Sequence, residues 1–554
     1  MQAKSARTGA AIVFEDVRIS MRDGVRLAAD VVRIDDSTRR PVLLLRTPYS
    51  RAGARANGTD MVALARDGWV FVNQDVRGRY DSDGCFTPFH QEIDDGHDSV
   101  AWCAAQPWCD GNVATWGGSY VGATQLLCAL SAPPALRAIT PMLTASGYNE
   151  GWCYEGGAMQ LGFLEPWAAN FVGTTNDARA ADRRNAQRMI DDHDAAYLHP
   201  LGSAAPQQLF SQFPNWLRPD DTRAWDAVDI AAQHHQITVP GFHVGGWYDI
   251  FCEGTLRNFT GLRANAANEG ARRGQRLVVG PWSHFNIFQR LSAEFDFGPH
   301  AAAVTTAPEM LAWTRRAVAS EDVDGGARIF VMGENRWRDM PSWPPPSTPL
   351  RFYLDSMGGA NSLYGDGVLR FSNPPEMVAD LYRYDPEDPV PTRGGRGCGP
   401  YLPTPGPSDQ RDVEARNDVL VYSTEPLQQP LTVMGMVTAS ISFVSSAPSA
   451  DVTVKLVDVH PDGRAFNVVD SVRRTALVPG EATTVEVAVG STAMVFGAGH
   501  RLRVEVSSSN FPRLDRNPST GEPAGSATVL RGARQTVLHG GDRPSWVELP
   551  VLAD

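Results

Sequence analysis

Apolar residues over roughly the first 143 positions fall into short β-branched runs separated by segments of helical period. Pro41-Val-Leu-Leu-Leu-Arg46 and Gly111-Asn-Val-Ala-Thr-Trp116 read as buried strands, and Val121 to Leu130 reads as an apolar helix. Glu92 to Ala105 places Ile93, His97, Val100, Ala101 and Ala104 on one helical face. This alternation predicts a mostly parallel sheet covered by helices. From about Ser146 to Thr238 the strand pattern stops, and Trp, Ala, Arg and Asp dominate, with helical stretches such as Asp177 to Met189. The α/β pattern resumes at Val239 and ends with Ala327-Arg-Ile-Phe-Val-Met332, before a boundary at Pro344-Pro-Pro346. Beyond it, Leu431 to Phe443, Val452 to Val459, Thr483 to Val489 and Leu502 to Ser507 form the alternating runs of an antiparallel sandwich. The expected division is therefore an α/β unit over 1–145 and 239–345, a helical cap over 146–238, and a β-sandwich over 346–554. The Pro- and Gly-rich stretch from Tyr384 to Gln410 reads as a long surface loop, and no internal repeat is evident.

One junction in this pattern carries chemistry. In Thr115-Trp-Gly-Gly-Ser119-Tyr120-Val121-Gly122 a serine leaves a buried strand through a glycine-lined turn and enters a helix. That is the nucleophile elbow of an α/β-hydrolase, except that Val121 stands where G-x-S-x-G expects a glycine. A serine in a tight turn is also an ordinary structural feature, so the rest of a triad has to be found. In this fold the acid and then the histidine follow the serine, each on a loop leaving a strand. Val239-Pro-Gly-Phe-His-Val-Gly-Gly-Trp-Tyr-Asp249 and Leu277-Val-Val-Gly-Pro-Trp-Ser-His284 supply both in that order. An isolated aspartate there would be a cap and an isolated histidine a solvated loop residue; three ordered placements point to a Ser119–His284–Asp249 triad. The backbone N–H of Tyr120 is the first candidate for the oxyanion hole. The loop after Pro41–Arg46 lacks a His-Gly-Gly run and offers Tyr49, which composition alone would make a packing residue.

These residues resemble the family of cocaine esterase and α-amino acid ester hydrolase, with glutaryl-cephalosporin acylases and, further off, X-prolyl dipeptidyl aminopeptidases. The resemblance runs through Arg46-Thr-Pro-Tyr49, Gln74-Asp-Val-Arg-Gly-Arg79, Gln106-Pro-Trp-Cys-Asp-Gly-Asn112, Gly117-Gly-Ser-Tyr120, Gly246-Trp-Tyr-Asp249, Gly280-Pro-Trp-Ser-His284 and Phe511-Pro-Arg-Leu-Asp-Arg-Asn517. It covers nearly the whole chain. It implies a glycine three places after the nucleophile, which Gly122 supplies, and a jelly-roll fold for the C-terminal sandwich. It also implies that the Tyr49 hydroxyl joins the Tyr120 N–H in holding the oxyanion, while Asp75 and Arg77 serve as loop-fixing residues. The carboxylates that hold a substrate ammonium in the amino-acid ester hydrolases are missing after Asp249, where Ile250-Phe251-Cys252 follows and Glu253 alone is nearby. Phe251 instead matches an aromatic of the acyl pocket, with Trp152 and Trp167 as further candidate walls. Glu150, Glu155 and Glu165 in the cap leave a route to amine recognition open.

Composition bounds the remaining possibilities. A chain of 554 residues with 42% apolar content calls for about three domains, and a net charge of −13 opposes nucleic-acid binding. No apolar run approaches the ~18 residues needed to span a bilayer, and the N-terminus has no signal-like core, so a soluble cytoplasmic protein is expected. Seven scattered cysteines without C-x-x-C pairs predict neither disulfides nor a zinc site, and no nucleotide or metal motif appears, so no cofactor is expected. The sequence leaves room for a homo-oligomer. The expected activity is cleavage of small acyl esters through an acyl-enzyme, with amidase, acylase, amino-acid ester hydrolase or dipeptidyl-peptidase action as the alternative. A non-enzymatic binding protein on the same fold is the remoter one.

Overall fold

The computed structural model describes residues 11–56, 60–176, 184, 222–287, 289–302, 306–399, 402–522, 527 and 529–552. Its centre is a twisted sheet built from β1 (Ile12–Ser20), β2 (Arg26–Ile34), β3 (Arg40–Thr47), β4 (Val70–Asp75), β5 (Cys109–Thr115), β6 (Leu136–Ala138), β7 (Phe242–Gly246), β8 (Arg276–Gly280), β9 (Gly326–Val331) and β10 (Arg336–Met340). The order along the first half is β1-β2-β4-β3-β5-β6. The chain of β6 runs on through an Ile139–Gly241 bridge to Met142, which pairs with Val244 of β7, and β8, β9 and β10 follow. The pairs from β4 and β3 through β8 and β9 are parallel, β2 runs antiparallel between β1 and β4, and β1 and β10 are the antiparallel edges. Covered on both faces, β4 is buried at every residue and β3 from Val42 onward, which is why they read as apolar runs rather than as alternation. Their parallel direction sends the loops after β5, β7 and β8 to one edge.

The helix Glu92–Ala104 forms as expected, but with a different inner face. Glu92, Asp95, Gly96, Ser99, Val100 and Cys103 are buried, whereas Ala101 is exposed and Ile93 and His97 are half-buried. Buried charge pairing reverses the apolar rule: Glu92 meets Arg46 at 2.9 Å, Asp95 meets Arg77 at 2.6 Å, and Ser99 donates to Gln74 at 3.0 Å.

Between β6 and β7, strand structure does not stop altogether. Tyr154–Glu155 and Ala158–Met159 form a small hairpin through Gly156 and Gly157, whose φ of +55° and +85° suit a tight two-residue turn. The helix Leu161–Thr174 follows, and three 3₁₀ turns between Thr222 and Gln236 lead back to β7. The helical stretch expected at Asp177 to Met189 lies, apart from Arg184, outside the described residues.

Beyond Thr348 the regular structure among the described residues is strand, apart from the short helix Arg411–Glu414. Leu431–Ser445 pairs with Thr483–Phe496, and Ser449–Val459 lies between Ala465–Ala476 and Arg501–Ser507. Inward residues such as Phe443, Val454, Leu456, Val487 and Val504 share one apolar core with Trp247, Phe330 and Met332 of the sheet unit. The stretch from Tyr384 to Gln410 is not a surface loop: Val390, Thr392, Arg396, Cys398, Ser408 and Gln410 are buried. Its glycines allow close passage rather than exposure. A Cβ on Gly399 would stand 2.4 Å from the Gly162 carbonyl, and the Gly397 N–H donates to Tyr248 O at 3.2 Å. Arg396 is neutralised by Glu253 at 2.8 Å.

Candidate active site

Ser119 caps the helix Tyr120–Leu130 with φ 60° and ψ −128°, a conformation that costs a non-glycine residue about 1–3 kcal/mol. The surroundings hold it there. Its N–H donates to Met142 O at 2.9 Å, and its carbonyl accepts from Gly122 N at 2.9 Å and Ala123 N at 3.0 Å. Gly117 is required because a Cβ there would lie 2.3 Å from Val121 Cγ1. Gly122 is required because its Cβ would lie 2.9 Å from Thr144 Cβ and 3.1 Å from Met142 O. The helix thus approaches the end of the neighbouring strand at position 122, so position 121 accommodates valine.

The acid and histidine loops leave adjacent parallel strands and remain tied beyond the sheet. Trp247 N donates to Gly280 O and Tyr248 N to Trp282 O, both at 2.9 Å. Gly246 permits this, since a Cβ on it would stand 2.3 Å from the Trp282 carbonyl. The fully buried Trp282 anchors the second loop by donating from Nε1 to Ala301 O at 2.6 Å. Asp249 and His284 are thereby brought together, Nδ1 to Oδ1 at 2.8 Å, with the carboxylate fully buried. Nε2 of the ring is left for other partners. Burial alone would push the His284 pKa down, but Cys398 and Asp249 beside the ring outweigh it and raise the value well above the ordinary imidazole range.

Tyr49 lies where β3 ends. Trp167 Nε1 donates to its hydroxyl at 3.1 Å, and Ser119 is its other side-chain hydrogen-bonding neighbour. Burial raises its pKa to about 12, against both hydrogen bonds, so the hydroxyl keeps its proton at neutral pH. Arg79, whose Nε donates to Pro48 O at 2.9 Å, fixes the same loop, a contact the sequence reading did not foresee. Tyr120 points its side chain away from Ser119's turn: its hydroxyl donates to Glu92 at 3.0 Å and accepts from Phe89 N at 2.8 Å. That network holds the start of the helix, whose first N–H is that of Tyr120. Arg77 pairs with Asp23 and Asp95, and Asp75 with Arg51, so both are bound up in fixing loops.

Phe251 stacks on Trp152 at 4.4 Å between ring centroids and meets the His284 ring edge-on at 5.4 Å. Trp152 lies 5.4 Å from Trp167, and Phe163 and Phe171 complete the aromatic group. The three aromatic candidates, Phe251, Trp152 and Trp167, are therefore gathered in one group that touches His284 and Tyr49. Cys398, a free, buried thiol, was missed. It enters on the stretch read as a surface loop, and no local motif signals it. Of the carboxylates nearby, Glu253 is held by Arg396 and Ser491, Glu155 by Arg513 at 2.7 Å, and Glu150 by Gly156 N at 2.8 Å. Glu165 is buried, neither of its oxygens is hydrogen-bonded among the described residues, and burial raises its pKa to about 7. A cavity of about 710 Å³ lies between the hairpin, Glu253 and the sandwich, and Ser119, His284 and Tyr49 do not line it.

The sheet order, the strained serine at the strand-to-helix corner and the C-terminal β-domain define an α/β serine hydrolase with an appended jelly roll. Residues 23–286 match the X-Pro dipeptidyl-peptidase (S15 family), and residues 322–548 match the X-Pro dipeptidyl-peptidase C-terminal non-catalytic domain. The chain is 37% identical to cocaine esterase of Rhodococcus sp. (strain MB1 Bresler), covering 98% of each protein. It belongs to the cocaine esterase family. Among solved structures, an aminopeptidase from a marine-sediment Thaumarchaeota archaeon superimposes with TM-score 0.83 at 24% identity, covering 100% of this chain and 99% of that one. An α-amino acid ester hydrolase superimposes with TM-score 0.80 at 23% identity, covering 100% and 98%. No helix among the described residues is long and apolar enough to cross a membrane.

Proposed function

We propose that the protein hydrolyses small esters of neutral, largely apolar and aromatic acids, with Ser119 as nucleophile, His284 as base and then acid, and Asp249 orienting the ring. The 2.8 Å Asp249–His284 contact, together with the strained Ser119 corner, carries this reading. With Nδ1 bound to the carboxylate, Nε2 takes the Ser119 proton as Oγ attacks the ester carbonyl. The oxyanion is received by the Tyr49 hydroxyl and the Tyr120 N–H. His284 then protonates the departing alcohol, and water, deprotonated by the same nitrogen, releases the acid from the acyl-enzyme. Phe251, Trp152 and Trp167 form the apolar wall for the acyl group, and the segment 146–238 acts as the cap that carries two of them. Ester cleavage is preferred over amide cleavage because alcohols leave without strong protonation.

A fluorophosphonate should label Ser119 in the native protein and not in Ser119→Ala, with ester turnover falling by about 10⁴ or more. No labelling of native protein would sink the enzyme assignment. The second reading, recognition of an α-amine, is favoured by the buried Glu165 carboxylate, which has no hydrogen-bond partner among the described residues. Phenylacetate and phenylglycine methyl esters separate the two: a strong preference for the amine, lost in Glu165→Gln, would replace the first reading.

A further inference from the structure

We infer that the sandwich holds a site for a divalent transition-metal ion, formed by Asp458, His460 and His500. The strand Ser449–Val459 brings the first two together: residues two apart point to the same face, so Asp458 and the residue just past the strand end, His460, share one side. This strand pairs antiparallel with Arg501–Ser507, and Val459 stands opposite Arg501. The next rung places His460 opposite His500. Sequence motifs do not show this grouping because 42 positions separate Asp458 from His500.

The donor atoms converge. Asp458 Oδ1 lies 2.8 Å from His500 Nδ1, and Oδ2 lies 3.3 Å from His460 Nε2. The ligand atoms of all three residues lie within 4.8 Å of one another, and the two rings stand 4.5 Å apart. An ion bound tetrahedrally at about 2.1 Å separates its ligands by roughly 3.4 Å, so the two Asp458 contacts need about half an ångström of adjustment and the widest donor spacing at most about 1.4 Å. Two imidazoles and one carboxylate suit Zn²⁺, Co²⁺, Ni²⁺ or Cu²⁺ and not Mg²⁺ or Ca²⁺, which take mainly oxygen ligands. Burial fits as well: the carboxylate is 3% exposed and thus fixed, while each imidazole is 21% exposed, leaving a way in.

Beside the three residues is a cavity of about 190 Å³, lined by Phe295, Phe297, Phe466, Met494 and Tyr248. Tyr248 directly precedes Asp249, and its hydroxyl donates to Asn467 O at 3.4 Å in the sandwich. The ion would occupy the seam between the sandwich and the acid loop, with its open position toward that cavity. Binding replaces the His500–Asp458 hydrogen bond and the 3.3 Å contact of His460 with the same carboxylate.

Untagged, chelator-stripped full-length protein is titrated with Zn²⁺ by calorimetry, with Mg²⁺ as control. One equivalent of Zn²⁺ should bind, Mg²⁺ should not, and the His460→Gln/His500→Gln pair should weaken binding by at least roughly 100-fold. Glutamine still donates to Asp458, so this variant should keep the unfolding midpoint of the stripped wild type while losing the upward shift that Zn²⁺ gives it. No uptake by the wild type, equal uptake of Mg²⁺, or uptake unchanged in the double variant would each overturn the assignment.

Discussion

Trp167 donates from its indole Nε1 to the Tyr49 hydroxyl at 3.1 Å, so a residue of the inserted segment holds the candidate oxyanion donor. Occupying one acceptor lone pair in this way turns the phenolic proton toward the other neighbour, Ser119. Tyr49→Phe should lower kcat by about 10²–10³ with little change in KM. Trp167→Phe keeps an aromatic wall but frees the hydroxyl, and should lower kcat by a smaller factor. Because both act through one hydrogen-bonded oxygen, the double variant should be hardly slower than Tyr49→Phe alone. Additive losses in steady-state kinetics would mean that Trp167 acts independently of Tyr49.

Gly122 offers a test in which geometry opposes helix propensity. In an exposed helix, alanine is favoured over glycine by about 1 kcal/mol. Here the added methyl would meet Thr144 Cβ at 2.9 Å and the Met142 carbonyl at 3.1 Å. Gly122→Ala should therefore destabilise by about 1–3 kcal/mol and disturb the Ser119 turn. Denaturant unfolding checks it; a gain in stability would show that the helix can shift off the strand end at no cost.

The parts of the site that were legible in the sequence are those set by neighbours along the chain. A strand, two glycines, a serine and an apolar helix form a corner wherever they occur, and Gly246 and Gly280 announce the two other loops in the same local way. What stayed hidden depends on partners remote in sequence. Cys398 reaches His284 because a Pro- and Gly-rich stretch passes through the interior, and composition cannot distinguish tight passage from exposure. The inner face of Glu92–Ala104 was misjudged for a related reason: Arg46, Arg77 and Gln74 make acidic and polar positions the buried ones.

The pH dependence follows from the His284 neighbours. A general base must be neutral, so kcat/KM should rise with pH through the imidazole pKa, which lies above the ordinary range. Cys398 is one of the groups that raise it, ahead of Asp249 in weight. In Cys398→Ala the acid limb should move to lower pH, leaving the plateau rate nearly unchanged. A profile that does not move would show that Asp249 alone sets the value.

Glu165 affects stability rather than chemistry. Burial raises its folded pKa from 4.5 to about 7, so the folded state holds the proton more tightly than the unfolded chain. Its cost is absent below pH 4.5, develops between pH 4.5 and 7, and is complete above 7. Two and a half pH units correspond to about 3 kcal/mol. Glu165→Gln keeps the shape and cannot ionise, so it should be more stable than the wild type at pH 8 by up to that amount. At pH 4.5 the difference should vanish. Denaturant midpoints at the two pH values test this, and an equal difference at both would show that the carboxylate is paired or solvated in the folded protein.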